Sequence, residues 1–465
     1  MKRSGWAWFA ASSVLLVSTL SGAAAAETRP QYGGTLHIAM REAPLSLDPG
    51  DVIQPDSFAR NNLLALIFET LVTVDERGRV HSALAVDWQA ASGKQRWQFR
   101  LRRGVKFHDG SALTAEIAAS ALRTANPSWK IFADGESVIV ELDRGDADLA
   151  AELALARNSI VKRNGNGNLS GTGAFHIEDW QAGKKLTLVA EENYWRGRAF
   201  VDRIEIEMGR NFHDQLVELD WGRADLIEVA VESAHRVTTD GRRISSSQPI
   251  ELVALFFGSA AQSADEKHLR RAIEWSVERA SMRTVVLQGA GQAAGSILPN
   301  WMTGYGFAFS SEANLQLARR EREQVRSAPN LTVGYDANDS LARVLAERVA
   351  LNARDAGISL QPTTAAKSDL VLVRIDLVSF DPWVALRGVA ATLGIALPKV
   401  NGSSLEELYS AEQALLAGQQ VIPLFHLPAE WATSAPLQDW NPAANGGWRL
   451  EDVWLGKVTM GKIRP

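Results

Sequence analysis

The stretch VKFHDGSALTAEIAASALR, residues 105–123, places a histidine beside an aspartate just before a helical pattern. The Asp-Gly pair that follows His108 favours a tight turn, because glycine accepts a positive φ and aspartate bonds to its own backbone. Thr114 is a suitable N-cap for the next helix, and Glu116 in its first turn opposes the helix dipole. Every polar residue thus has a structural role, and the alternative is a catalytic pair of His108 and Asp109.

The rest of the sequence offers no chemical partner for such a pair. The eight histidines form neither HxH nor HExxH, and cysteine is absent, so the usual zinc signatures are missing. There is also no GxSxG nucleophile elbow and no GxxxxGK[ST] phosphate loop. The sequence therefore predicts a protein that is not an enzyme, with no catalytic residue, no metal ligand and no cofactor.

Segments on both sides of this stretch alternate between strand and helix patterns. Trp97, Phe99 and Leu101 alternate with polar residues, as in a half-buried strand. Residues 331–362 read as strand, helix and strand, with Gly357 where a glycine commonly follows a helix. The pattern predicts a mixed α/β fold that is strand-rich first and of βαβ type later.

Two more helices are predicted in the second half of the chain. Apolar and small residues recur at helical spacing from Leu269 to Ala280, which predicts one continuous helix. Residues 403–418 predict another helix, with a capping box formed by Ser403 and Glu406.

The first 26 of the 465 residues differ from the remainder. A basic start, an uncharged apolar run and three alanines at positions 24–26 are typical of a secretory signal peptide, and an uncleaved membrane anchor is the alternative. An exported chain without cysteine is stabilised by packing rather than by disulfides. The net charge of −5 argues against a nucleic-acid partner, because phosphate binding requires clustered lysines and arginines.

Six segments occur together in the order found in one known family. They are YGGTLHIAM, LLALIFETLVTVDERGRVHSALAVDWQ, WQFRLRRGVKFHDGSALTAE, GTGAFHIEDWQAGKKLTLVAEENYWRGRAFVDRIEIEM, LRRAIEWSVERASM and QVIPLFH. With them, the chain resembles the family 5 extracellular solute-binding proteins of ABC importers, which include dipeptide-, oligopeptide- and nickel-binding proteins. The resemblance extends over nearly all of the chain after residue 26.

The resemblance implies a two-lobed α/β periplasmic binding protein fold, type II-like, with an extra subdomain inserted in the first lobe. It implies a periplasmic monomer that captures a small solute, most readily a peptide or peptide-like molecule, and delivers it to a membrane ABC permease. Mapped onto this chain, the first lobe comprises 27–50, 163–255 and 428–465, the extra subdomain 51–162, and the second lobe 256–427.

Five residues are predicted to line the ligand cleft. Glu42, after the first strand, would accept hydrogen bonds, and the backbone at Thr172 and Gly173 would approach the ligand closely. Trp383, taken to lie in a loop, would stack on the ligand. His426, after the last strand of the second lobe, would donate or accept a hydrogen bond. A structural role is the alternative for each residue.

One position departs from the family pattern. Peptide-binding members carry an aspartate three residues before an Asp-Pro or Glu-Pro pair, where it pairs with the peptide's ammonium group; here the pair is Asp381-Pro382 and that position is Val378. A buried cation without its carboxylate costs several kcal/mol, so this anchor is missing unless the loop is rearranged. Two alternatives remain: an envelope protein on the same scaffold with a chaperone-like or sensing role, and a secreted hydrolase built on His108 and Asp109.

Overall fold

The computed structural model of this protein describes most of the chain as a mixed α/β fold. The predicted signal peptide, residues 1–26, lies outside the described part. No helix within the described part is long and apolar enough to cross a lipid bilayer. The described residues are 29–456, except 52, 55, 166, 328 and 399–403.

Strands dominate the first part of the chain and helices the second part, as predicted. The strands are β1 (Thr35–Ala39), β2 (Val72–Val74), β3 (Val80–Ser82), β4 (Ala85–Ala90), β5 (Arg96–Leu101), β6 (Lys130–Asp134), β7 (Ser137–Glu141), β8 (Lys162–Arg163), β9 (Leu169–Ser170), β10 (Phe175–Gln181), β11 (Lys185–Ala190), β12 (Arg203–Glu207), β13 (Leu226–Val229), β14 (Arg243–Phe256), β15 (Gln292–Ala293), β16 (Leu331–Gly334), β17 (Leu360–Thr363), β18 (Leu370–Asp376), β19 (Val421–Thr433), β20 (Leu437–Gln438) and β21 (Trp454–Leu455). The helices are α1 (Phe58–Ile67), α2 (Ala115–Ala125), α3 (Leu149–Glu152), α4 (Phe212–Asp220), α5 (Ala234–Thr239), α6 (Ala264–Ser276), α7 (Arg279–Val285), α8 (Asn300–Thr303), α9 (Leu315–Glu323), α10 (Ser340–Asp355), α11 (Pro382–Thr392) and α12 (Leu405–Ala417).

One large sheet runs through both lobes. Among the described residues its order is β10-β11-β12-β1-β13-β19-β14-β18-β16-β17, with β15 beside β19. The long antiparallel strands β14 and β19 belong to both lobes, and their register shifts on each side of the facing residues Pro249 and Pro428. Proline cannot donate to the ladder of backbone hydrogen bonds, so the sheet is interrupted where the lobes join.

Separate apolar cores support the lobes. One core joins the first lobe to the extra subdomain and includes Leu36 of β1, Leu63 of α1 and Phe99 of β5, all fully buried. Val253 and Leu252 of β14, which the mapping placed in the first lobe, instead pack with residues of the second lobe in two different clusters, one under α10 and the other under α11. Because successive strand residues point to opposite faces, the second lobe has helices packed on both faces of its sheet.

The opening stretch has the predicted turn and cap. Gly110 has a φ of 81°, and the Oγ1 of Thr114 accepts a hydrogen bond from the backbone N of Ile117 at 3.3 Å, at the start of α2. The βαβ prediction is also confirmed, because β16 and β17 pair in parallel around α10, and Gly357 beyond that helix has a φ of 79°.

The prediction of one continuous helix from Leu269 to Ala280 is wrong. Helix α6 ends at Ser276, Val277 is extended (φ −75°, ψ 112°), and α7 begins at Arg279. The Arg279 side chain is 2% exposed, and its Nε donates to the carbonyl O of Pro423 at 2.9 Å. Anchoring this guanidinium to β19 requires a change of chain direction that the helical periodicity does not show.

Candidate functional site

A cavity of about 340 Å³ lies where the two lobes meet, and we call it the inter-lobe cavity. Its wall is formed by residues after β1, by the end of β13, and by β14, β18 and β19 beside the proline pair. Pockets for small molecules are typically about 300–1,000 Å³ and are often found between domains, so the size suits a small solute. The charged side chains that line it are Arg41, Glu42, Glu228, Glu232, Glu251, Asp339, Arg374, Asp376 and Glu430.

Two of these acids are neutralised by one arginine. Arg374 on β18 donates through Nε and Nη2 to the two oxygens of Glu251 at 2.5 and 2.7 Å, and through Nη1 to Asp339 at 2.7 Å. Glu251 stands directly opposite Asp376 in the β14–β18 register, where two like charges repel each other. The forked guanidinium of Arg374 offsets part of that repulsion, because it suits bidentate carboxylate binding.

The other five carboxylates form no ion pair with a basic side chain in the described part of the chain. Asp376 accepts from the backbone N of Phe58 at 2.9 Å, and Glu42 accepts from the hydroxyl of Ser57 at 2.7 Å. Glu228 accepts from the backbone N of Arg41 at 2.6 Å. These neutral donors stabilise the carboxylates without balancing their charge.

Burial raises the pKa values of four of these acids. For Asp376 the loss of water is the main cause, and repulsion from Glu251 and Glu42 adds to it. For Glu228 burial comes first, and the charge of Glu42 contributes. Burial also raises the pKa values of Glu232 and Glu430. The inter-lobe cavity is therefore rich in acids that form no ion pair within the described residues and whose pKa values are raised by burial, even though the charges of Arg41 and Arg374 act on Glu228, Glu232 and Asp376 in the opposite direction.

A second cavity of about 300 Å³ adjoins the first, and the two share Phe58 and Asn62 of α1. We call it the subdomain cavity, because most of its wall comes from residues 51–162, the predicted extra subdomain. Val378 lines this second cavity, whereas Asp376, two residues earlier, lines the first. Asp381 caps α11 by accepting from the backbone N of Val384 at 3.0 Å, and it lines neither cavity.

Thr172 lies behind the subdomain cavity in a network centred on the carboxylate of Glu69. Its hydroxyl, Trp195 Nε1 and the Tyr194 hydroxyl donate to that carboxylate at 2.8, 2.8 and 3.0 Å. Burial raises the pKa of Glu69. The Thr172 side chain therefore serves the fold in this structure.

The other predicted site residues are spread over the molecule. Glu42 lines the inter-lobe cavity, whereas Gly173 itself lines neither cavity, and its backbone N donates to the carbonyl O of Ile67 at 2.9 Å. Trp383 lies in the first turn of α11 and packs in a core of the second lobe. His426 lies in β19, and its Nε2 is 3.0 Å from the carbonyl O of Ile297.

The loop prediction for Trp383 is wrong, because the N-cap residue Asp381 and Pro382 in the first turn start a helix there. The ligand-binding roles of all five residues stay predictions. The residues that the sequence reasoning missed are Arg374, Asp376 and Glu228. The sequence does contain a pattern that marks these residues, because charged residues interrupt the apolar segments LVLVRIDLV and LIEVAV at the ends of buried strands.

His108 and Asp109 are engaged in holding a loop. The His108 Nε2 is 3.0 Å from the carbonyl O of Gly173, and its Nδ1 accepts from the backbone N of Gly171 at 3.3 Å. Burial lowers the pKa of His108, which favours the neutral ring that these two bonds require. Asp109 accepts from Lys162 Nζ at 2.5 Å. No cluster of metal-ligating side chains is found among the described residues.

His426 is expected to make folding pH-dependent. Burial lowers its pKa to about 4, whereas the unfolded chain takes up this proton near pH 6.5, so stability falls as the pH drops from about 6.5 towards 4. The expected loss between pH 7 and pH 5 is about 2 kcal/mol. Urea unfolding of the natural protein and of His426→Gln at both pH values isolates the effect, and equal pH dependence of the two would contradict it.

This protein is similar to known proteins in both sequence and fold. Residues 79–381 match the profile of the bacterial extracellular solute-binding proteins, family 5 Middle. Heme-binding protein A of Haemophilus influenzae is 23% identical over 326 residues, 60% of this chain and 59% of that protein. The probable D,D-dipeptide-binding periplasmic protein DdpA of Escherichia coli is 25% identical over 289 residues, 56% of each chain. The matched part thus spans a little over half the length of these relatives.

Two solved structures share the whole fold. NikA from Staphylococcus aureus, in complex with Ni(L-His)2, gives a TM-score of 0.77 at 14% identity and covers 90% of this chain and 99% of its own. The oligopeptide-binding protein AppA from Bacillus subtilis, in complex with a nonapeptide, gives 0.74 at 16% identity and covers 92% and 100%. At these identities the likeness confirms the two-lobed fold, and the profile match over more than half the chain shows that this protein belongs to the family 5 bacterial extracellular solute-binding proteins.

Proposed function

We propose that this protein is the solute-binding component of an ABC importer and binds its solute without converting it. The observation that carries the proposal is the inter-lobe cavity, whose wall combines residues of the first lobe, the extra subdomain and the second lobe. A solute held there would be surrounded by both lobes. We further propose that the protein is exported to the periplasm by residues 1–26, acts as a monomer, and delivers the solute to a membrane permease.

The structure offers a hinge for such a cycle. Strands β14 and β19 connect the lobes, and their ladder is interrupted at Pro249 and Pro428, beside the cavity. A solute favours closure only by binding the closed form more tightly than the open form. Rotation about this interruption would open the cavity without unfolding either core.

Contacts between the extra subdomain and the second lobe would also help to hold the closed form together. Arg387 of α11 lies 3.4 Å from Asp148 at the start of α3, and Val384 packs against Leu155. The bond from Phe58 N to Asp376 joins the same two parts. These contacts are few, as expected for surfaces that must separate to release a solute.

The test combines native mass spectrometry of the purified protein with small-angle scattering. We expect a co-purifying small molecule, and a smaller radius of gyration when it is added back to stripped protein. Recovery of the molecule chemically unchanged supports binding, whereas its conversion into a product would support the hydrolase alternative. A protein with no co-purifying molecule, and no compaction with any solute tried, would instead favour the chaperone-like or sensing role and contradict the proposal.

A further inference from the structure

We propose that the solute is an organic cation with an ammonium or guanidinium group, and that Asp376, Glu228 and Glu232 hold its positive charge in the inter-lobe cavity. This inference rests on the proposed function and names the class of solute that the same cavity selects.

The wall of the inter-lobe cavity contains more acidic than basic side chains. Seven carboxylates line it, against the side chains of Arg41 and Arg374. Arg374 is already bound to Glu251 and Asp339. The guanidinium of Arg41 lies over the ring of Phe212, 5.5 Å from its centroid, and forms no ion pair within the described residues. In the described part of the chain, five carboxylates are therefore left without an ion pair. At most two other basic side chains in the cavity wall, Arg41 and His213, could balance their charge.

This excess of carboxylates in the cavity is energetically unfavourable for the free protein. A partly buried carboxylate without an ion-pair partner is unfavourable, and burial raises the pKa values of Asp376, Glu228 and Glu232 in the free protein despite the nearby charges of Arg41 and Arg374. An anionic solute would add to the repulsion, and a neutral one would leave it unrelieved. A cation entering the cavity would relieve it, so the charge of the solute decides its affinity.

The side chains and volume of the cavity suit an organic cation better than a metal ion. No set of three or more metal-ligating side chains comes together in the described part of the chain, which gives no support for a metal ion as the solute. The aromatic residues Phe58 and Trp431 are among those that line the same cavity as the acids. Aromatic faces next to carboxylates suit an ammonium or guanidinium group attached to a carbon chain. A volume of about 340 Å³ leaves room for that chain.

The direction of proton exchange follows from these positions. The raised pKa values mean that the acids hold protons in the free protein up to a higher pH, and a cation lowers those pKa values again. Cation binding therefore releases protons, and the affinity decreases as the pH falls. The other charged or titratable groups in the cavity wall are the basic residues Arg41, His213 and Arg374, on the segment after β1, on α4 and on β18, and the acids Glu42, Glu251, Asp339 and Glu430.

The experiment compares cationic probes with neutral probes of matched shape, by thermal shift and titration calorimetry. Putrescine is paired with 1,4-butanediol, and butylguanidine with butylurea. We expect each cation to bind at least tenfold more tightly than its neutral partner, with proton release seen as a dependence of the heat on the buffer. Asp376→Asn and Glu232→Gln should each weaken the cation tenfold, whereas Glu347→Gln, on the exposed face of α10, should not change it.

Several outcomes would overturn the inference. Equal affinity for the two members of each pair would do so, as would failure of every cationic probe to raise the melting temperature. A co-purifying solute that is neutral or anionic would overturn the inference while the proposed function stands. Absence of any bound solute and of any compaction would contradict both this inference and the proposed function. If Asp376→Asn folds poorly because it weakens the bond to Phe58, Glu232→Gln still decides the question.

Discussion

Gly173→Ala is expected to destabilise the protein by about 3 kcal/mol or more. A Cβ at this position would lie 2.7 Å from the carbonyl C and O of Ile67 and 2.7 Å from the carbonyl O of Leu66, at the end of α1. These are backbone atoms, so they cannot move aside as the end of a flexible side chain would. The close approach of backbone to backbone, rather than an unusual φ, is what requires glycine here.

Gly388→Ala is the matched control for this prediction. Gly388 lies inside α11, and a Cβ there would meet no atom within 4 Å. Alanine is favoured over glycine in a helix interior, so this change should stabilise the protein by up to about 1 kcal/mol. Urea unfolding measures both variants.

The outcome also decides the predicted role of Gly173 in the cleft. If Gly173→Ala unfolds at the same urea concentration as the natural protein but loses its solute, the backbone at Gly173 contacts the solute and the packing argument fails. If stability falls while the folded fraction keeps its affinity, the residue serves the junction between α1 and the glycine loop.

Local patterns in the sequence predicted much of the fold. The turn at Gly110, the cap at Thr114 and the βαβ unit that ends near Gly357 each depend on residues close together in the chain, so their chemistry is readable without the structure. Even there, boundaries moved: the capping box of α12 is formed by Ser404 and Glu407, one residue later than predicted. Ser403 lies outside the described residues.

The candidate site was much harder to predict, because it depends on contacts between distant parts of the chain. Asp376 meets the backbone of Phe58, 318 residues away in the sequence, and Arg374 meets Glu251, 123 residues away. No local spacing reveals such contacts. The reading of Val378 as the place of the missing aspartate stays a prediction, and the carboxylate at Asp376 becomes apparent only when both cavities are seen.

His426 and Trp383 show a second difficulty of predicting a site from sequence, although their ligand-binding roles stay predictions. Both residues are polar or aromatic and lie beside positions typical of ligand contacts, yet His426 is 2% and Trp383 6% exposed. A large protein needs many such side chains for its cores, and the sequence does not show on which face of the sheet a side chain lies. Burial, not residue type, distinguishes a core residue from a cleft residue.

Arg374→Met is expected to destabilise the free protein by about 3–5 kcal/mol at pH 7, the usual cost of breaking a buried ion pair. The change leaves Glu251 and Asp339 without their counter-charge, in a cavity that already has an excess of acids. Arg343→Met is the control, since Arg343 is exposed on α10 and lies 3.8 Å from Glu347. Surface pairs of this kind contribute at most about 1 kcal/mol.

The pH dependence of the Arg374→Met defect tests its electrostatic origin. Burial raises the pKa of Asp339, and the charge of Arg374 brings it below its usual value; without the guanidinium, that pKa should rise in the folded state above its unfolded value. A folded state that binds more protons gains stability as the pH falls, so the deficit relative to the natural protein should shrink between pH 7 and pH 5. Urea unfolding at the two pH values gives both deficits. A deficit that stays constant would assign the loss to the packing of the long side chain, and would show that the acids of this cavity tolerate one another without a positive charge.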